Sequence, residues 1–181
     1  MIRRRLVALV TSVTVLAACH RARQQDTNGA FVPLQAGTHL ARYARTDLAG
    51  DSVVVASKEP LTLVNVWATW CTSCREEMTE LQALQHEFGP RGLRVISISI
   101  DGSGDAKVER FVEEEHLTMP VVHDPESTVT ALYNVPAVPT TILVDTAGVV
   151  RWVHTGNIAS VSAQARAAIA AQLGKTAAPS S

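Results

Sequence analysis

The sequence predicts an α/β domain built on a sheet of mixed direction with helices on both faces. Three observations lead there. Residues 61–67 and 93–100 are apolar runs of strand length, the kind that makes buried strands. A stretch with helical spacing follows each run, and alternating strands and helices favour a parallel sheet. Near the end the alternation breaks, because two extended runs are joined by Thr146-Ala147-Gly148, the turn of an antiparallel hairpin.

The 181 residues suffice for one such domain with added segments, and a hydrophobic fraction of 46% is that of an ordinary globular chain. Formal net charge is −1, but Arg3, Arg4 and Arg5 are three of the 16 basic residues, leaving 13 against 17 acidic ones elsewhere. No basic stripe marks a nucleic-acid surface.

In chain order, residues 1–18 read as a signal peptide. After the three arginines come 13 apolar or small residues, 6–18, short of the about 20 that a membrane-spanning helix needs. The segment ends in Leu16-Ala17-Ala18-Cys19, which resembles the bacterial lipobox; that likeness implies cleavage before Cys19 and its acylation. A multi-chain lipid anchor holds a protein firmly on a membrane surface. An ordinary signal peptide, or an uncleaved anchor ending in cysteine by coincidence, is the alternative. Residues 19–37, with Arg21, Arg23, Gln24, Gln25, Asp26, Asn28 and Gly29, have the composition of a solvated tether.

Residues 40–55 predict a hairpin turning at Leu48-Ala49-Gly50-Asp51. The strand at 61–67 comes next, then an amphipathic helix with Met78, Leu81, Leu84 and Phe88 on one face, stopped by Gly89-Pro90. Residues 93–100 are the second buried strand, and 105–116 a helix buried through Val108, Phe111 and Val112. A short strand near 119–122 and a helical turn ending at Tyr133 precede the terminal hairpin, whose strands run from Thr140 and from Val149 to His154. A closing helix spans 159–173, with Val161, Ala165, Ile169 and Leu173 on one face.

The chemistry concentrates where the first long strand ends, at Trp67-Ala68-Thr69-Trp70-Cys71-Thr72-Ser73-Cys74. A helix start presents unpaired N–H groups with partial positive charge, which favour an anion. At Cys71 that anion is the thiolate, the form that attacks disulfides. Cys74, one turn on, can close a short disulfide with it. Half of a zinc site is a poor alternative, since four ligands are needed, Cys19 is the only other cysteine and the six histidines are scattered. A purely structural disulfide would gain little entropy from so small a ring. No metal and no cofactor are expected. Glu77 falls between Leu84 and Phe88 on the helical wheel, within the apolar stripe, so its carboxyl should be desolvated and its pKa raised. Alternatively, Glu77, like Glu76, merely complements the helix dipole. Trp67 is expected in the core and Trp70 at the rim of a substrate groove; His116, His123 and His154 receive no role.

The Trp-Ala-Thr-Trp-Cys-x-x-Cys segment resembles the active site of thioredoxin-like proteins, in particular the TlpA/ResA-like membrane-anchored branch. The likeness runs from about residue 40 to 173 and implies a thioredoxin-like domain over 38–174 with an added N-terminal β-hairpin; the small and polar residues 175–181 read as a disordered tail. It further implies that Cys71 attacks as the more exposed thiol and Cys74 resolves. Val138-Pro139-Thr140-Thr141 is similar to the family loop whose proline is cis and packs against the disulfide. Pro139 is therefore expected to be cis, leaving the Val138 backbone to pair with an extended substrate. Asn65 stands where thioredoxin has an aspartate, and the family carries a glutamate at the place of Glu77. One departure is Thr79, where relatives often have a proline that kinks the helix, so a straighter helix is expected here.

These readings combine into a membrane-tethered extracytoplasmic thiol–disulfide oxidoreductase, on the periplasmic side or the outer face of a bacterial cytoplasmic membrane. It would reduce disulfides in exported proteins, apocytochrome c being a common substrate in the family, and receive electrons from a membrane donor. The other partner is the lipid bilayer, through Cys19. Two alternatives stay open: a peptide- or protein-binding lipoprotein with a structural disulfide, and a disulfide-donating oxidase. A peroxiredoxin is disfavoured, because its Pro-x-x-x-Thr-x-x-Cys pattern is missing.

Overall fold

The computed structural model describes residues 31–55, 61–102 and 104–176. The expected signal peptide, Cys19 and residues 177–181 of the expected tail lie outside the described residues; the first two residues of that tail, 175 and 176, are not disordered but continue the last helix. Strands β1 (Tyr43–Thr46) and β2 (Ser52–Val55) form the N-terminal hairpin. They are followed by β3 (Leu61–Trp67), α1 (Thr72–Glu76), α2 (Met78–Phe88), β4 (Leu93–Ser99), α3 (Asp105–Glu114) and β5 (Val121–His123). The chain ends with α4 (Thr128–Tyr133), β6 (Thr140–Val144), β7 (Val150–Thr155) and α5 (Ser162–Thr176), the last preceded by a 3-10 turn at Ile158–Val161.

The main sheet has the order β5-β4-β3-β6-β7, parallel from β5 to β3 and antiparallel from β3 to β7. β3 is therefore central, and all seven of its residues are buried. Alternation sorts them onto two cores. Leu61, Leu63 and Trp67 face Met78, Leu81 and Leu84 of α2, Val108 and Phe111 of α3, and Ile169 of α5. Val64 and Val66 face the other way, with Ile96, Ile98, Tyr43, Val53 and Val55 and with Val129 and Tyr133 of α4. Both faces thus carry helices, but the hairpin and the short α4 serve as the cover on the second. Trp67 lies in the first core, its ring 5.0 Å from that of Phe111.

The folded unit is tied in from residue 37 onward. Gly37 N–H donates to the Val150 carbonyl at 2.8 Å, Val150 N–H to Thr38 at 2.9 Å and Leu40 N–H to Gly148 at 3.0 Å, which fastens the segment before β1 to the edge at β7.

The helix after the cysteines departs from the expected straight one. It is interrupted at Glu77, which ends α1 and precedes α2, although residue 79 is threonine. Proline is not needed for the break. The Glu77 side chain is anchored inward by two hydrogen bonds, and the helix divides at that anchored residue.

Candidate active site

β3 ends at Trp67, and the chain turns through Ala68 to Cys71, with Cys71 N–H donating to the Ala68 carbonyl at 3.1 Å. Cys71 caps α1: its backbone is extended, and its Sγ accepts from the Cys74 N–H at 3.3 Å. Ser73 Oγ lies 3.4 Å from the same sulfur. Cys71 and Cys74 are joined as a disulfide. Cys71 is 9% exposed and Cys74 0%, so only the first sulfur's residue reaches the surface.

The Val138–Pro139 bond is cis, and the Val138 carbonyl oxygen lies 3.8 Å from Cys71 Sγ. This loop leads directly into β6, which pairs with β3, so the sheet itself brings residues 138 and 71 together. The Val138 N–H has no hydrogen bond among the described residues. Trp70, 63% exposed, stands next to Cys71 at the same end of the sheet.

Glu77 is fully buried. Asn65 Nδ2 donates to its Oε1 and the Ile158 N–H to its Oε2, each at 2.7 Å. Asn65 Nδ2 also lies 3.3 Å from Thr141 Oγ1, its neighbour across β3 and β6. Burial raises the Glu77 pKa from 4.5 to about 7, against the opposing pull of the Ile158 and Asn65 hydrogen bonds. A carboxyl one turn from Cys74 thus changes protonation near neutral pH, as a proton-transfer group at a thiol requires.

A second buried carboxylate, Asp101, has no counterpart in the sequence reading. It follows β4 and accepts from both the N–H and the hydroxyl of Thr69, at 2.8 and 2.5 Å. Burial pushes its pKa up, but the hydrogen bonds from Thr69 and Ser99 and the charge of Lys107 hold it below the usual carboxylate range. His123, also without a predicted role, sets its Nε2 2.7 Å from the Asp101 carbonyl oxygen, while Nδ1 meets the Asp105 carboxylate. Burial lowers its pKa, but these acceptors outweigh burial and raise it overall. The signal for Asp101 was available in principle: side chains at the carboxyl ends of adjacent parallel strands converge. It became readable only with the β3–β4 register. Among the described residues no three His, Cys, Asp or Glu side chains gather as a metal site would require. Nor, among them, is any helix long and apolar enough to cross a membrane.

Comparison with known proteins fits this geometry. The AhpC/TSA family matches residues 37–153. The thiol-disulfide oxidoreductase ResA of Oceanobacillus iheyensis is 35% identical over 94 residues, 52% of this chain and 48% of that protein, so the match spans about half of that relative. The thioredoxin-like protein YneN of Bacillus subtilis is 32% identical over 130 residues, 70% of this chain and 75% of YneN. Among solved structures, a DsbE-type thiol:disulfide interchange protein from Chlorobium tepidum superposes with a TM-score of 0.70 at 24% identity, covering 77% of this chain and 99% of that one, a likeness of fold.

Proposed function

The chain belongs to the AhpC/TSA family, as a thioredoxin-like, ResA-like thiol–disulfide oxidoreductase, and we propose that it reduces disulfides of exported proteins through Cys71 and Cys74 while tethered to the outer side of a membrane. The observation that carries the reading is the Cys71–Cys74 disulfide, with Cys71 the partner nearer the surface, beside the Val138–Pro139 loop. In the reduced enzyme the Cys71 thiolate attacks one sulfur of a substrate disulfide. A mixed disulfide forms, and one substrate thiolate leaves. Cys74 then gives up its proton and attacks Cys71 Sγ, releasing the second substrate thiolate. The substrate gains two electrons, and the enzyme is left with the Cys71–Cys74 disulfide.

Glu77 is the proposed acceptor for the Cys74 proton, since it lies one turn away and titrates near 7. Trp70 and the Val138 backbone form the substrate groove in this reading, with the Val138 amide free to pair with an extended peptide. A membrane dithiol donor resets the enzyme, and acylated Cys19, with residues 19–37 as tether, keeps the two close. Apocytochrome c, whose haem-binding cysteines must be reduced, is the proposed substrate within this class.

Insulin reduction by dithiothreitol tests the chemistry: the protein should accelerate it, and Cys71→Ser should abolish the acceleration. A Cys71→Ser protein that retains full activity would overturn the assignment. Cys74→Ser should instead trap mixed disulfides with substrate, which mass spectrometry of the native host's exported proteins would identify.

A further inference from the structure

We propose that Asp101 is a positioning residue for the reacting cysteine. It holds the turn that carries Cys71, and so sets how the Cys71 sulfur meets the first amides of α1. The inference rests on the reading of Cys71 as the attacking thiol.

The parallel pairing of β3 and β4 sets Trp67 opposite Ser99, so two residues further along each strand Thr69 and Asp101 come together. Asp101 is 1% exposed. Its Oδ2 accepts from the Thr69 N–H at 2.8 Å and the Ser99 hydroxyl at 2.7 Å; its Oδ1 accepts from the Thr69 hydroxyl at 2.5 Å and faces Lys107 Nζ at 3.5 Å. The aspartate is itself gripped. Its amide donates to Ser99 Oγ at 3.2 Å, and its carbonyl oxygen meets His123 Nε2 from β5, while the other nitrogen of that ring engages Asp105 at the start of α3. β4, β5 and α3 thus brace this one residue, and each of its carboxylate oxygens accepts a bond from Thr69 in the active-site turn.

Among the described residues the turn is held further by Ile100 N–H donating to the Trp67 carbonyl at its base and by Cys71 N–H donating to the Ala68 carbonyl at its end, and Ala68 packs in the core; between these, Thr69 is fixed by Asp101. Without Asp101 the buried Thr69 N–H would lose its partner, and an unpaired buried donor drives local rearrangement. The rearrangement falls two residues before Cys71, whose sulfur accepts the Cys74 N–H that favours a thiolate.

The test is the pH profile of Cys71 alkylation by iodoacetamide in the reduced full chain, with the modified cysteine mapped by mass spectrometry. Asp101→Ala should raise the Cys71 midpoint by about half a pH unit and slow labelling at neutral pH about threefold. Asp101→Asn keeps an oxygen for the Thr69 N–H and should return the profile most of the way to wild type. A profile unmoved by Asp101→Ala overturns the inference, whatever happens to the melting temperature. So does an Asp101→Asn profile no closer to wild type than that of Asp101→Ala, which would make the charge the operative feature. Should Asp101→Ala fail to fold, Thr69→Val, which removes only the hydroxyl bond, should raise the midpoint in the same direction by a smaller step, and no rise overturns the inference. Labelling of Cys74 first in the wild type overturns the Cys71 reading and this inference with it; labelling of Cys71 with an unmoved variant profile overturns this inference alone.

Discussion

Glu77 shows how burial converts an ordinary carboxyl into a group that titrates near neutrality. Its folded pKa of about 7 lies above the unfolded value of 4.5, so between these values the folded state binds more protons than the unfolded one. The contribution to stability is therefore full below pH 4.5 and is lost as pH rises through 7. The difference is on the order of 3 kcal/mol at most, from about 1.4 kcal/mol per pKa unit. Glu77→Gln should flatten that part of the stability–pH curve, measured by urea unfolding across the range. If Glu77 also takes the Cys74 proton, the same variant should shift the pH dependence of thiol reactivity. A flattened stability curve with an unchanged thiol profile would leave Glu77 a buried structural group and nothing more.

At the scale of elements, the junction of β3 with α1 decides the redox character. α1 has only five residues, so Cys71 feels the amides of one short turn, worth on the order of 1–2 kcal/mol. The residues between the cysteines, Thr72 and Ser73, add no positive charge. For a two-electron couple about 30 mV corresponds to 1.4 kcal/mol, so the potential should fall near thioredoxin, between about −200 and −280 mV. Equilibration with glutathione buffers measures it, and a value above about −150 mV would make the chain a disulfide donor instead. The break at Glu77 yields a second expectation. Residue 79 lies in the first turn of α2, where proline is tolerated, so Thr79→Pro should change stability by no more than about 1 kcal/mol. A loss near the roughly 3 kcal/mol of a mid-helix proline would mean that the two segments behave as one helix.

For the molecule as a whole, the sheet end that carries Trp70, Cys71 and the Val138–Pro139 loop is where two stretches of chain distant in sequence meet. Under the proposed function this end must reach both a membrane donor and a soluble substrate, which a lipid anchor followed by a tether of about 18 residues would permit. Growth with labelled palmitate should mark the protein, and Cys19→Ala should abolish the mark. Label persisting in that variant would remove the anchor from the account. The thiol chemistry of residues 71 and 74 would be unaffected.

The sequence by itself determined the alternation of strand and helix, the terminal hairpin, the pair Cys71 and Cys74, and the burial of Glu77. Each of these is written locally, in apolar period, in turn residues or in spacing along one helix. Likeness to relatives singled out the positions of Asn65 and Glu77, and the structure joins them by a direct bond of 2.7 Å. Tertiary structure alone decided the rest. The second anchor of Glu77 is the amide of Ile158, 81 residues away, and a backbone donor leaves no trace in residue type. Nothing local in the sequence marks Asp101 or His123, because their meaning lies in the strand order β5-β4-β3, which aligns the carboxyl ends of three strands beside Thr69. Local pattern fixes which face of an element is buried; only the register between elements fixes which polar groups meet there.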